Sequence, residues 1–145
     1  RARNATIAAQ PDEKKCALNG VYEALKVSGK YFDFAIVSSA NYAAVTEEWE
    51  RCSLLSLVDC VTTQQDGSKS HCISRLIAKG YSPQNVVMVG DAPGDLNAAE
   101  SNGVQFYPIL VNHETESWQT ILPSLNEVLD GKKLDLKVKF INNLS

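Results

Sequence analysis

The sequence predicts an α/β domain built on a mainly parallel sheet. Short apolar runs, rich in β-branched and aromatic residues, alternate with helical segments of ten or more residues. Such a rhythm produces crossover connections and parallel strands. The loops richest in chemically useful residue types all follow strands, so the sheet would gather them along one edge.

Residues 1–11 show no clear period. From Asp12 to about Lys26 the pattern is helical, with Leu18, Val21 and Leu25 on one face and Gly29 as a stop. Tyr31 to Val37 is short, apolar and aromatic, hence a strand. Ser38 to Asn41 forms the following turn and caps a helix that puts Val45, Trp49 and Cys52 on one side. Leu54 to Val61 reads as a second strand with a short lead-in, and the polar stretch Thr62 to Ser68, with Gly67, as a loop. Lys69 to Lys79 is helical, with Cys72, Ile73, Leu76 and Ile77 inward and Gly80 as its stop. Val86 to Val89 is the third strand, and the helix after it is stopped by Gly103. Val104 to Val111 is the fourth strand, interrupted by Pro108. Glu116 to Leu129 is an amphipathic helix through Trp118, Ile121, Leu122, Leu125 and Leu129; Pro123 within it predicts a kink or a start nearer Ser124. Leu134 to Phe140 alternates with period two, as an edge strand or ordered tail would.

A chain of 145 residues is one domain by size, and 44% apolar with 21% charged residues is ordinary for a globular protein. The net charge of −3 argues against a nucleic-acid surface, since Lys14-Lys15 and Lys132-Lys133 are short groupings flanked by acids. No stretch approaches the roughly 20 apolar residues of a membrane span. No signal-peptide pattern is present and the chain does not begin with Met, so a fragment, a processed product or an engineered piece is expected, with a cytoplasmic location. The four cysteines, Cys16, Cys52, Cys60 and Cys72, form no CxxC pair and read as buried thiols in a reducing compartment. Asn4-Ala5-Thr6 and Asn143-Leu144-Ser145 fit the glycosylation pattern, which matters only in a secreted protein.

The chemistry concentrates at three strand ends. Val86-Val87-Met88-Val89-Gly90 runs into Asp91 and Asp95, two acids four residues apart at a strand–turn–helix junction. Hard oxygen ligands there suit Mg²⁺. Ser38, with the N–H groups of Ser39 and Ala40, follows the first strand, and Lys69 opens the helix one loop after the second. A hydroxyl with backbone donors, an ammonium and an acid pair together make a phosphate site. Each has a plainer alternative: Ser38 an ordinary cap, Lys69 a solvated helix-start lysine, the acids a surface loop. His71 and His113 lack matched partners, Glu114 and Glu116 suit a solvated loop, and Trp49 and Trp118 suit a core.

These strings, in this order, resemble three motifs of the haloacid dehalogenase-like superfamily of phosphohydrolases. Phe34-Ala35-Ile36-Val37-Ser38 is similar to its apolar strand ending in Ser or Thr, Asp66-Gly67-Ser68-Lys69 to its loop-borne Lys, and Gly90-Asp91-Ala92-Pro93-Gly94-Asp95 to its GDxxxD signature. Gly20 to Leu25 is also similar to the helix leading into the second motif. The resemblance covers roughly residues 15–130. It implies a Rossmann-like three-layer sandwich and a Mg²⁺-dependent phosphatase acting on a small phosphorylated metabolite, with a phosphomutase as a variant. Ser38 would hydrogen-bond the phosphoryl group, helped by the Ser39 N–H. Lys69 would pair with the phosphoryl group and the nucleophile. Asp91 would bind Mg²⁺ directly, and Asp95 would bind it through water or orient Lys69.

The family's first motif, an apolar strand ending in DxDxT, is not found. Asp12-Glu13 follows a Pro and opens a helix, and Asp33 lies inside a strand. The expectation is therefore a partial core domain over residues 12–130, with terminal extensions at 1–11 and 131–145 and no turnover by this chain alone. The first-motif strand would be central, between the strands ending at Ser38 and Asp91. Its gap calls for a filler: residues 3–9, the Leu134 to Phe140 segment, a missing N-terminal segment or a second copy. A module that binds phosphate and metal without catalysis is the competing expectation. A phosphorelay receiver fits less well, because receivers place their acids early and their Lys after the last strand, whereas Lys69 precedes Asp91.

Overall fold

The longest apolar runs become strands covered on both faces, as parallel sheets require. A computed structural model describes residues 3–10, 21–38, 42–51, 55–110 and 112–144. Its five strands are β1 (Arg3–Gln10), β2 (Asp33–Ser38), β3 (Cys60–Thr62), β4 (Tyr81–Gly90) and β5 (Gln105–Pro108). They form one sheet in the order β3-β2-β1-β4-β5, with every pairing parallel. The protein is thus α/β and Rossmann-like, as the sequence predicts.

Seven helices complete the described fold: α1 (Val21–Ser28), α2 (Tyr42–Arg51), α3 (Lys69–Ile77), α4 (Pro93–Asn102), α5 (Glu114–Gln119), α6 (Ile121–Leu129) and α7 (Lys137–Leu144). Alternation along the strands sends Phe34, Ile36, Val87 and Val89 into one core with Leu25, Trp49, Trp118, Ile121 and Leu125. Ile7, Ala35, Val37, Val86 and Met88 enter the other with Ile73, Leu76, Ala99 and Phe140. Helices α1, α2, α5 and α6 therefore cover one face, and α3, α4 and α7 the other. The strand order reverses between β1 and β4, the place where open α/β sheets leave a crevice at their carboxyl ends.

Several elements depart from the sequence expectation. The central place between β2 and β4 belongs to β1, so residues 3–9, one of the fillers expected for that gap, occupy it, although they lie outside the expected 12–130 bounds. Thr6, in the first glycosylation-like tripeptide, is buried there. Leu134 to Phe140 is not a strand. Leu136, Phe140 and Leu144 lie four apart, and the Phe140 N–H donates to the Leu136 carbonyl at 3.0 Å, so this segment enters α7. Phe140 is buried edge-on against Phe106, with ring centroids 5.2 Å apart.

The lead-in to β3 is a 3₁₀ turn at Leu55–Leu57, which leaves only three strand residues. The expected Glu116–Leu129 helix breaks at Thr120 into α5 and α6. Pro123 then falls in the first turn of α6, where an amide would have no helical acceptor in any case. Of the helix expected from Asp12, residues 21–28 are seen as α1; residues 11–20, Cys16 and Cys52 lie outside the described residues. Cys60 on β3 is half-buried, Cys72 on α3 is buried, and both are free thiols. No described helix is long and apolar enough to cross a membrane.

Candidate functional site

Ser38, Lys69 and Asp91 all come to the carboxyl edge of the sheet. Ser38 is the last residue of β2 and is buried; its Cα partner across the ladder is Gln10, the last residue of β1. On the other side of β1, Ala8 pairs with Val89, so Gln10, two residues on, reaches the level of Asp91. Ser39, expected to contribute an N–H, lies outside the described residues.

Lys69 is delivered by a tightly organised loop. The carboxylate of Asp66 accepts the Thr63 N–H at 2.8 Å, closing a single 3₁₀ turn. Gly67 follows at φ 107°, a conformation that favours glycine. Ser68 caps α3 by accepting the His71 N–H at 3.1 Å. Lys69, first residue of that helix, then places its Nζ 2.8 Å from Asp95 Oδ1.

Asp95 is the hub. Its side chain is 1% exposed, against 26% for Lys69. One carboxylate oxygen accepts from Lys69; the other accepts from the Asp91 and Ala92 N–H groups, each at 3.1 Å. Both oxygens are therefore engaged within the protein. Ala92 is the cap of α4 and Asp95 its third residue, so the carboxylate also serves the donors at the helix start. Gly90 makes this possible, because a Cβ there would stand 2.5 Å from Asp95 Cβ and Oδ2.

Asp91 sits at the end of β4, partly exposed, with its backbone fixed by Asp95. Among the described residues no group of three or more His, Cys, Asp or Glu forms a metal cluster. A Mg²⁺ ion, however, commonly takes one or two carboxylates and completes its octahedron with phosphate oxygens and water. Asp91 is a donor of that type. The residues therefore fit an ion held jointly with a bound phosphate, rather than a dedicated protein cage.

The remaining candidates fall elsewhere. His71 is exposed on α3, and His113 pairs with Glu116 at 3.7 Å far along the chain from the acid loop. Glu114 accepts the Asn112 N–H at 3.1 Å. Trp49 and Trp118 are core residues. Gln10 was missed by sequence reasoning. Its signal is the mostly apolar run Ala5 to Ala9, which leads to Gln10 at the sheet's carboxyl edge once that run is recognised as a strand.

The haloacid dehalogenase-like hydrolase family matches residues 4–109 of this chain. The chain belongs to that family. No curated protein matches it. Among solved structures, the core domain of a protein from Streptococcus pneumoniae TIGR4, provisionally assigned as a phosphoglycolate phosphatase, superposes with a TM-score of 0.66 at 17% identity, covering 91% of this chain and 98% of that one. A protein of Thermotoga maritima, provisionally assigned as a β-phosphoglucomutase, gives 0.60 at 22% identity over 75% of this chain and 59% of its own. A family hydrolase of Bacillus subtilis, bound to magnesium, gives 0.55 at 13% identity over 60% of this chain and 41% of its own. At these identities the likenesses show the fold. The family match begins at residue 4, so it takes in β1 and with it the strand that ends in Gln10.

Proposed function

We propose that this haloacid dehalogenase-like chain binds the phosphoryl group of a small phosphorylated metabolite and does not hydrolyse it. The observation that carries this reading is the strand-end arrangement itself: Ser38, the Lys69–Asp95 pair and Asp91 gather around a central strand that ends in Gln10. The Lys69 ammonium supplies positive charge, and Asp95 keeps it in place. Ser38 supplies a hydroxyl donor. Asp91 would hold Mg²⁺, which when bound neutralises part of the phosphate charge. Family hydrolysis needs a carboxylate nucleophile at the end of the central strand. A carboxamide carries no negative charge to attack phosphorus and adds none toward a cation.

The competing reading is a Mg²⁺-dependent phosphatase or mutase, favoured by the family and by the assigned activities of its structural neighbours. Calorimetry with inorganic phosphate, together with release of p-nitrophenol from its phosphate ester, separates the two. The expected result is saturable phosphate binding, tightened by Mg²⁺, with no release of p-nitrophenol. Lys69→Ala should weaken phosphate about tenfold, the scale of one charge-assisted hydrogen bond. Asp91→Asn should abolish the gain from Mg²⁺ alone. Metal-dependent turnover by the unaltered chain would establish the phosphatase instead, and absence of phosphate binding would remove both readings. A cytoplasmic setting is part of this proposal, supported by the free thiols of Cys60 and Cys72.

A further inference from the structure

Beyond the edge strand β5 lies a cleft of about 610 Å³, within the size range of small-molecule sites. None of Ser38, Lys69, Asp91 or Asp95 lines it. Tyr107, Pro108 and Leu110 form its apolar base. One wall is α7 and the residue before it: Leu136, then Lys139, Asn142 and Asn143 on the helix. Thr120 and Ser124, one turn apart, stand on the other wall.

Part of this lining is committed to the fold. The Tyr107 hydroxyl donates to the Ser117 carbonyl at 2.7 Å, and Thr120 Oγ1 donates to the Glu116 carbonyl at 3.0 Å. These bonds hold the base and one wall in shape. Lys139, Asn142 and Ser124 are different: their side chains make no hydrogen bond or ion pair with the described residues. An ammonium, a carboxamide and a hydroxyl can all donate to a single carboxylate. Glu116 at the rim, 76% exposed and beside His113, opposes a second negative charge. The apolar base suits a ring or short hydrocarbon.

We propose that this cleft binds a small amphipathic monocarboxylate, its head group held by Lys139, Asn142 and Ser124 and its apolar body laid over Tyr107, Pro108 and Leu110. The proposal is independent of the phosphate reading, since the two sites share no residue. The test is an amide ¹H–¹⁵N titration of the full chain with phenylacetate, and in parallel with neutral phenylacetamide. Phenylacetate should give saturable shifts at Leu110, Ser124 and Asn142, and phenylacetamide should bind about tenfold more weakly, as expected for loss of one charge-assisted contact. Lys139→Glu, an exposed change on α7, should weaken phenylacetate by a similar factor; Lys139→Gln, which keeps the length, should do so less. Each of three results overturns the proposal: no saturable shifts at these amides, equal binding of the two probes, or an unchanged affinity in Lys139→Glu. Shifts centred on Lys69 and Asp91 also overturn it, because they would put the carboxylate in the phosphate site.

Discussion

A single buried carboxylate organises the acid loop. Asp95 accepts from the Lys69 ammonium and from two successive amides, and it does so only because residue 90 has no side chain. Gly90→Ala should therefore displace Asp95 and destabilise the fold by about 1–3 kcal/mol, the usual scale of overpacking. Gly94→Ala is the matched control, since a Cβ at Gly94 meets nothing within 4 Å. Urea unfolding of the two variants checks the claim, which fails if they are equally stable. At this scale the sequence was informative where chemistry and spacing coincide. The strand-edge positions of Ser38, Lys69 and Asp91 were legible because apolar strands precede them. Gln10 was not, because Ala5, Ala8 and Ala9 make its strand weakly β-like in composition. The contact of Asp95 with Lys69 was among the expectations from the resemblance; the engagement of its second oxygen by the Asp91 and Ala92 amides was not, since it depends on where the turn lies in space.

Among the elements, the pair α5–α6 shows how a short network sets a helix break. Tyr107 on β5 reaches both the Ser117 carbonyl and Thr120 Oγ1, at 2.7 and 3.1 Å, and ties the break to the sheet. Burial raises the phenol above its ordinary 10.0; the Thr120 hydrogen bond lowers it in part, and the charge of Glu116 raises it. The folded chain thus holds this proton more tightly than the unfolded chain. The associated stability is fully present below about pH 10 and is lost as the pH rises through the folded value. Guanidinium midpoints should fall in that alkaline window, and Tyr107→Phe should flatten the fall while losing about 1 kcal/mol at neutral pH. An identical alkaline fall in the variant would assign it to other groups. The element most misread from sequence, α7, is ambiguous for a physical reason. Leu134, Leu136, Val138 and Phe140 satisfy a strand period, while Leu136, Phe140 and Leu144 satisfy a helical one. Contact with Phe106 favours the helix, and that contact lies outside local sequence.

Across the molecule, the sheet is buried most completely at its middle. Ile7, Ile36, Val87 and Met88 have no measurable exposure, whereas the three residues of β3 are all partly exposed. Hydrogen exchange should therefore be slowest in β1 and β4 and fastest, among the strands, in β3. Protection in β3 equal to that in β4 would contradict this ordering. The parallel architecture itself was legible, because continuous apolar runs separated by helices admit few other solutions. The occupant of the central place was not, since four candidates satisfied the same vacancy.

That central place has a consequence for how the chain assembles. β1 precedes every other described strand, yet one of its two neighbours, β4, lies about eighty positions later, with Ala5 opposite Val86. During synthesis β1 must wait, with one unpaired apolar edge, until β4 has emerged. Pairings this distant slow folding and leave strand edges open to association. The residues that complete the acid loop are thus also those that close the sheet, so the site and the folded core become available at the same moment.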